Sequence, residues 1–149
     1  MFRFSLLLIV AFTVSGCASS GRVGNLPDVA PGEASSELGL IRVSSPVGLA
    51  NSYYVSLDGK DVFSLRSGQH TQFPITAGQH YISVKCFGGW SPTWKEDSTS
   101  FVARANEPSY FKISPDLRCA QIVQIPVAEA VELKARTKLI SPSKESNKS

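Results

Sequence analysis

A chain of 149 residues with 42% apolar, 18% charged and 9% aromatic residues is too apolar for disorder and too short for two large domains. Fifteen Lys and Arg against twelve Asp and Glu leave a formal charge of +3, with no basic run concentrated enough for a nucleic-acid face. Nine prolines and eleven glycines break the apolar residues into short runs, which points to β-structure rather than a helical bundle.

At the N-terminus, Arg3 precedes an apolar stretch, Leu6 to Val14, and small residues follow. This is the three-part pattern of a secretory signal peptide. As a helix the stretch spans about 14 Å at roughly 1.5 Å per residue, half the roughly 30 Å of a hydrocarbon core, so it is not read as a transmembrane helix. Val14-Ser15-Gly16-Cys17 resembles the lipobox of bacterial lipoproteins. The resemblance implies that residues 1–16 are removed, that the Cys17 thiol takes diacylglycerol and that the new amine is acylated. An ordinary secreted protein with a cysteine near its cleavage site is the alternative. Three acyl chains exceed the roughly two signals needed for durable anchoring. Ala18 stands where an inner-membrane retention signal has Asp. The expected location is therefore the periplasmic face of a bacterial outer membrane, lipid-anchored.

Residues 17–37 are expected to be the acylated cysteine and a flexible tether. The stretch from 18 to 37 is rich in Gly, Ser, Ala and Pro and averages roughly 25 Å end to end if it behaves as a random coil. Residues 38–140 read as one domain of common size, and residues 141–149 as a polar tail.

Within the domain the dominant period is two. Leu40 to Val43 opens a strand. Tyr53 to Leu57 alternates and runs into Asp58-Gly59, the pair best suited to the positive φ angles of a tight hairpin. Asp61 to Arg66 returns, Thr71 to Ile75 follows, and His80 to Cys86 places Ile82, Val84 and Cys86 on one face. Ser100 to Ala105, Ser109 to Ser114 and Cys119 to Ile125 complete the set, the last with Cys119, Val123 and Ile125 sharing a face. The expected fold is mainly β, an antiparallel β-sandwich of about seven to eight strands. From Pro126 the period becomes helical. Val127, Val131, Ala135 and Leu139 form a stripe at i+4 spacing, expected to pack on an edge or open face of the sandwich as one C-terminal α-helix.

The run VSLDGKDVFSLRSGQHTQFPITAGQHYISVK resembles the PEGA-type β-sandwich repeat and a related family of envelope lipoproteins with a domain of unknown function. The resemblance rests on the Asp58-Gly59 turn and on Ala77-Gly78-Gln79-His80 leading into a strand, and extends over about residues 39–139. Arg42-Val43-Ser44-Ser45 and the terminal helix match the lipoprotein family better than the bare repeat. Ala77 stands where the pattern often has Pro. The resemblance implies a sandwich domain and transfers no catalytic residue.

Beyond Cys17, the sequence has Cys86 and Cys119. In an oxidising compartment an even pair reads as a disulfide, worth roughly 3–4 kcal/mol of loop closure, with two separately buried thiols as the alternative. His70 and His80 sit in a repeated Gly-Gln-His. Two imidazoles make half a metal site, but spacing places no third ligand, so structural roles are expected and a metal-dependent hydrolase is the least favoured reading. No G-x-S-x-G elbow or phosphate loop is present; no catalytic residue, metal or cofactor is expected. Trp90 and Trp94 lie within five residues in what reads as a Gly/Pro-bearing connection. They either offer a rigid contact surface or plug the end of the core, and Tyr53, Tyr54 and Tyr110 share that ambiguity. The expectation is a non-catalytic envelope module that binds a protein partner or helps assemble one, with saccharide stacking on Trp90 or Trp94 as the alternative.

Overall fold

The computed structural model describes residues 20–88 and 93–143. Cys17, the signal segment, Trp90 and most of the polar tail lie outside the described residues. The strands are β1 (Gly21–Arg22), β2 (Ser35–Arg42), β3 (Tyr53–Leu57), β4 (Lys60–Leu65), β5 (Gln69–Thr76), β6 (Gly78–Gly88), β7 (Thr93–Ala103), β8 (Ser109–Asp116), β9 (Cys119–Ile125) and β10 (Lys138–Leu139), with helix α1 (Val127–Ala135) before the last. Two five-stranded sheets, β1-β4-β3-β6-β7 and β10-β5-β2-β8-β9, make the mainly β sandwich with one C-terminal helix that the alternation predicts.

The first sheet is antiparallel throughout. The second is mixed, because β2 runs parallel to β8 and β10 parallel to β5. Parallel neighbours need a long crossover. The chain supplies one between β2 and β8 by passing twice through the other sheet. Alternation puts Leu38, Leu40, Val55, Phe63, Phe73, Ile82, Val84, Phe111 and Ile113 into one continuous core between the sheets, each at most 2% exposed. Cys86 on β6 and Cys119 on β9 form a disulfide that joins the two sheets across this core, their Cα atoms 6.2 Å apart. Asp58 and Gly59 both have positive φ, 50° and 78°, as the hairpin turn requires.

Arg42 closes one end of the core. Alternation along β2 points it inward after Leu38 and Leu40, and it is 1% exposed. Its guanidinium donates to the carbonyls of Asn51, Leu65 and Gly48 at 2.6, 2.7 and 2.7 Å, and so ties both sheets to the 43–52 loop through carbonyls rather than an acid. The Asp58 turn marks the opposite end.

Three segments differ from the periodicity reading. Part of the expected tether is built into the domain: β1 pairs with β4, Val23 N–H donates to Val62 O at 3.1 Å, Leu26 packs against the core, and β2 already begins at Ser35. Main-chain bonding and close approach order it rather than apolar area. A Cβ at Gly24 would lie 1.9 Å from Asp61 O, so here glycine serves proximity. The helix is shorter than its stripe. Val127, Val131 and Leu139 are 50%, 59% and 56% exposed, whereas Ala130 is fully buried and Leu133 partly so against Ile41, Tyr110 and Ile125. Small Ala130 lets the helix lie close on the outer face of the second sheet, and Leu139 falls in strand β10. Finally, Val123 does not share a buried face with Cys119 and Ile125. Ala120 and Ile122 face the core, Ile125 lies under the helix, and Val123 is 39% exposed.

Candidate functional site

The helix covers the outer face of the second sheet. Among the described residues, no helix lies over the outer face of the first, and that face carries the most concentrated exposed aromatic surface. Three neighbouring strands build it. Tyr54 on β3 is directed outward because Tyr53, Val55 and Leu57 are directed into the core. Phe87 on β6 follows the same rule opposite Ile82, Val84 and Cys86. Trp94 on β7 is paired in register with Phe87. Both are exposed, Phe87 by 50% and Trp94 by 57%. Trp94 meets Tyr54 and Phe87 edge-on, with centroids 5.6 Å apart in each case and interplanar angles of 70° and 62°. Edge-to-face contacts of this kind fix ring orientation. The trio is a rigid feature of the sheet, not a set of free side chains.

Charged and hydroxyl groups border the aromatics. Lys85 Nζ lies 2.7 Å from Asp61 Oδ1, and Ser56 Oγ donates to that same oxygen. The Lys85 ammonium, and next the Ser56 hydroxyl, hold the Asp61 carboxyl below its usual value. Tyr54, Trp94, Lys85 and Asp61 together line a shallow depression of about 460 Å³. It offers large flat apolar area, one fixed carboxylate and one fixed ammonium, which is recognition chemistry.

Trp94 is therefore in a strand, not in a connection, and it does not plug the core. The polar run from Lys95 to Ser100 concealed the first half of β7, because an exposed edge strand needs no apolar alternation. Of the four tyrosines, Tyr53 is buried beneath Arg42 and Tyr110 beneath the helix, which leaves Tyr54 and, further along β6, Tyr81 on the open face.

The two histidines are not brought together. His70 lies near the start of β5 at the Arg42 end of the second sheet, and His80 near the start of β6 at the Asp58 end of the first. His70 Nδ1 is 2.8 Å from Thr137 Oγ1, whose hydroxyl already donates to Leu133 O, so the ring nitrogen is the donor. Burial, and then the Lys134 charge, push the His70 imidazole below its ordinary value. His80 Nδ1 is 2.7 Å from Asp58 Oδ2 and Nε2 is 2.9 Å from Thr76 O, while Asp58 Oδ1 accepts from Tyr81 N–H. His80 braces the hairpin turn.

The fold and this face together define a class: a disulfide-bridged two-sheet sandwich with one helix-covered face and one open aromatic face. The chain matches no protein-family model, no curated protein and no solved structure. The chemistry of the face itself must carry the functional reading.

Proposed function

We propose that the protein is a non-catalytic binding module of the bacterial envelope, held by acylated Cys17 at the periplasmic face of the outer membrane, that contacts a partner protein through the open face of its first sheet. The observation that carries this is the exposed, mutually braced trio Tyr54, Phe87 and Trp94. Aromatic side chains that are rigid and exposed before binding lose little entropy when covered, which is why such residues dominate interface energetics. The inter-sheet disulfide agrees with an oxidising compartment, and the lipobox-like segment supplies the anchor. The resemblance to PEGA-like lipoproteins points the same way, towards a sandwich that binds rather than reacts.

A second reading is favoured by one feature. Asp61 and Lys85, fixed beside Tyr54 and Trp94, would suit the hydroxyls of a saccharide stacked on the aromatics. The deciding experiment is a pull-down of the acylated protein from gently solubilised membranes, with Trp94→Ala beside it, together with a tryptophan-fluorescence titration by envelope saccharides. A protein captured by wild type and lost from Trp94→Ala supports the first reading. Saturable fluorescence change with saccharide and no captured protein supports the second. If neither result is obtained, the open face is not a contact surface.

A further inference from the structure

The end of the sandwich closed by Arg42 differs from the other end in ways that bear on the anchor. The chain reaches the domain there. Gly21 pairs with Ser64, so Ser20 lies beside Leu65 and Arg66, and its Oγ accepts from Gln69 Nε2 at 3.2 Å. Cys17 is three residues earlier, a reach of at most about 10 Å for extended chain. The acyl chains proposed on Cys17 thus begin close to this end, without the roughly 25 Å reach of a free twenty-residue tether.

The same end exposes isolated aliphatic side chains on its loops. Val47, Leu49 and Leu117 are 64%, 64% and 97% exposed. Val47 and Leu117 line an open cleft of about 610 Å³ together with Tyr53 and Cys119. The charges are segregated as well. Segments 43–52, 66–68, 116–118 and 136–138, which close this end, hold Arg66, Arg118, Arg136 and Lys138 against one acid, Asp116. The opposite end has the reverse balance, with Asp28, Glu33, Asp58 and Glu107 against Lys60 and Arg104. Aliphatic tips ringed by bases are the composition of a surface that sits on anionic headgroups.

We propose that the Arg42 end is a membrane-docking surface: Val47, Leu49 and Leu117 enter the headgroup region of the bilayer that holds the protein's own acyl chains, and the surrounding bases face its phosphates. The inference rests on the acylation of Cys17 proposed above. It orients the domain. The Asp58 end points away from the membrane, and the aromatic face of the first sheet stands at the flank, open to a partner beside the bilayer. A short connection makes this docking effectively intramolecular, so modest apolar and charge contacts suffice to hold the orientation.

The test uses the full acylated protein in vesicles of phosphatidylethanolamine and phosphatidylglycerol. Photoreactive p-benzoylphenylalanine replaces Leu117 in one preparation and Lys60, at the far end, in another; both positions are exposed and neither change enters the core. Intact mass and flotation with the vesicles first establish the anchor itself, so that its failure is read separately. For protein that floats, phospholipid cross-links from position 117 and their loss at position 60 are expected. Equal cross-linking from both positions, or none from either, overturns the proposal. In a second preparation, Arg66→Glu with Arg118→Glu is expected to reduce cross-linking from position 117, and an unchanged yield would show that these charges do not dock the domain.

Discussion

The Arg42 guanidinium lies over the Tyr53 ring, Cζ 3.5 Å from the centroid, and the Tyr53 hydroxyl in turn donates to Cys119 O at 2.9 Å. One buried cation therefore links β2, the 43–52 loop, β3 and the disulfide-bearing strand β9. Burial draws the Arg42 guanidinium below and pushes the Tyr53 phenol above their ordinary values, yet Arg42 remains a cation at any working pH. Arg42→Ala would remove the charged donor shared by the carbonyls of Gly48, Asn51 and Leu65, of which Gly48 O keeps its bond from Asn51 N–H. A loss on the order of 3 kcal/mol is expected in urea unfolding. A change under about 1 kcal/mol would mean that water replaces the guanidinium without cost.

The disulfide gives a second prediction. Its sequence separation of 33 implies a loss of roughly 3–4 kcal/mol when both cysteines become alanine. Denaturation of wild type with and without reductant should show the same gap. Coincident curves would show that the bridge does not constrain the unfolded chain.

Trp94→Ala separates contact from stability. Its ring is mostly exposed and makes only edge contacts, so about 1 kcal/mol of stability is expected to be lost, visible as a fall of a few degrees in Tm. Partner capture should fail nevertheless. A loss of several kcal/mol would assign the tryptophan to the fold.

Gly39 is expected to tolerate no side chain. A Cβ there would stand 2.3 Å from Tyr110 Cδ1, and Tyr110 is held from above by the helix, with Lys134 Nζ 5.1 Å from its ring centroid. Overpacking of this kind costs about 1–3 kcal/mol. Gly39→Ala should lower Tm; adding Tyr110→Leu should return part of it.

The last prediction concerns pH. His70 is buried and its folded value lies below the ordinary 6.5, so folding favours the neutral ring. Its contribution is complete above 6.5 and is lost as pH falls through the depressed folded value. Ile140 N–H donates to His70 O and Lys138 N–H to Gly68 O. Acidification should therefore lower the amide-exchange protection of Lys138 and Ile140 first, measured relative to the intrinsic exchange rate at each pH. His70→Gln should flatten that dependence; an unchanged pH profile in the variant would place the titrating group elsewhere.

Legibility followed the range of the interaction. The Asp58-Gly59 turn was readable because its signal is confined to two residues whose backbone sterics decide the matter. Tyr53, Val55 and Leu57, and Ile82, Val84 and Cys86, announced buried faces because alternation is a property of one strand. Trp94 was legible as a candidate contact but not as a strand residue, since the bonds that make β7 a strand come from β6. The helix stripe misled for a related reason. Which of its faces is buried depends on Tyr110 and Ile125 beneath it, and those favour the small side chain of Ala130.

By itself, then, the chain determined its sandwich class, its turn, its pair of cysteines and the residues that resemble an anchor, because composition, period and short motifs act locally. Only the tertiary structure decided that Tyr54, Phe87 and Trp94 meet on an uncovered face, that His70 and His80 stand at opposite ends, and that Arg42 is sealed inside. Each of those depends on strand order and register. Non-local pairing, summed over two sheets, chooses among arrangements that the local pattern leaves equal.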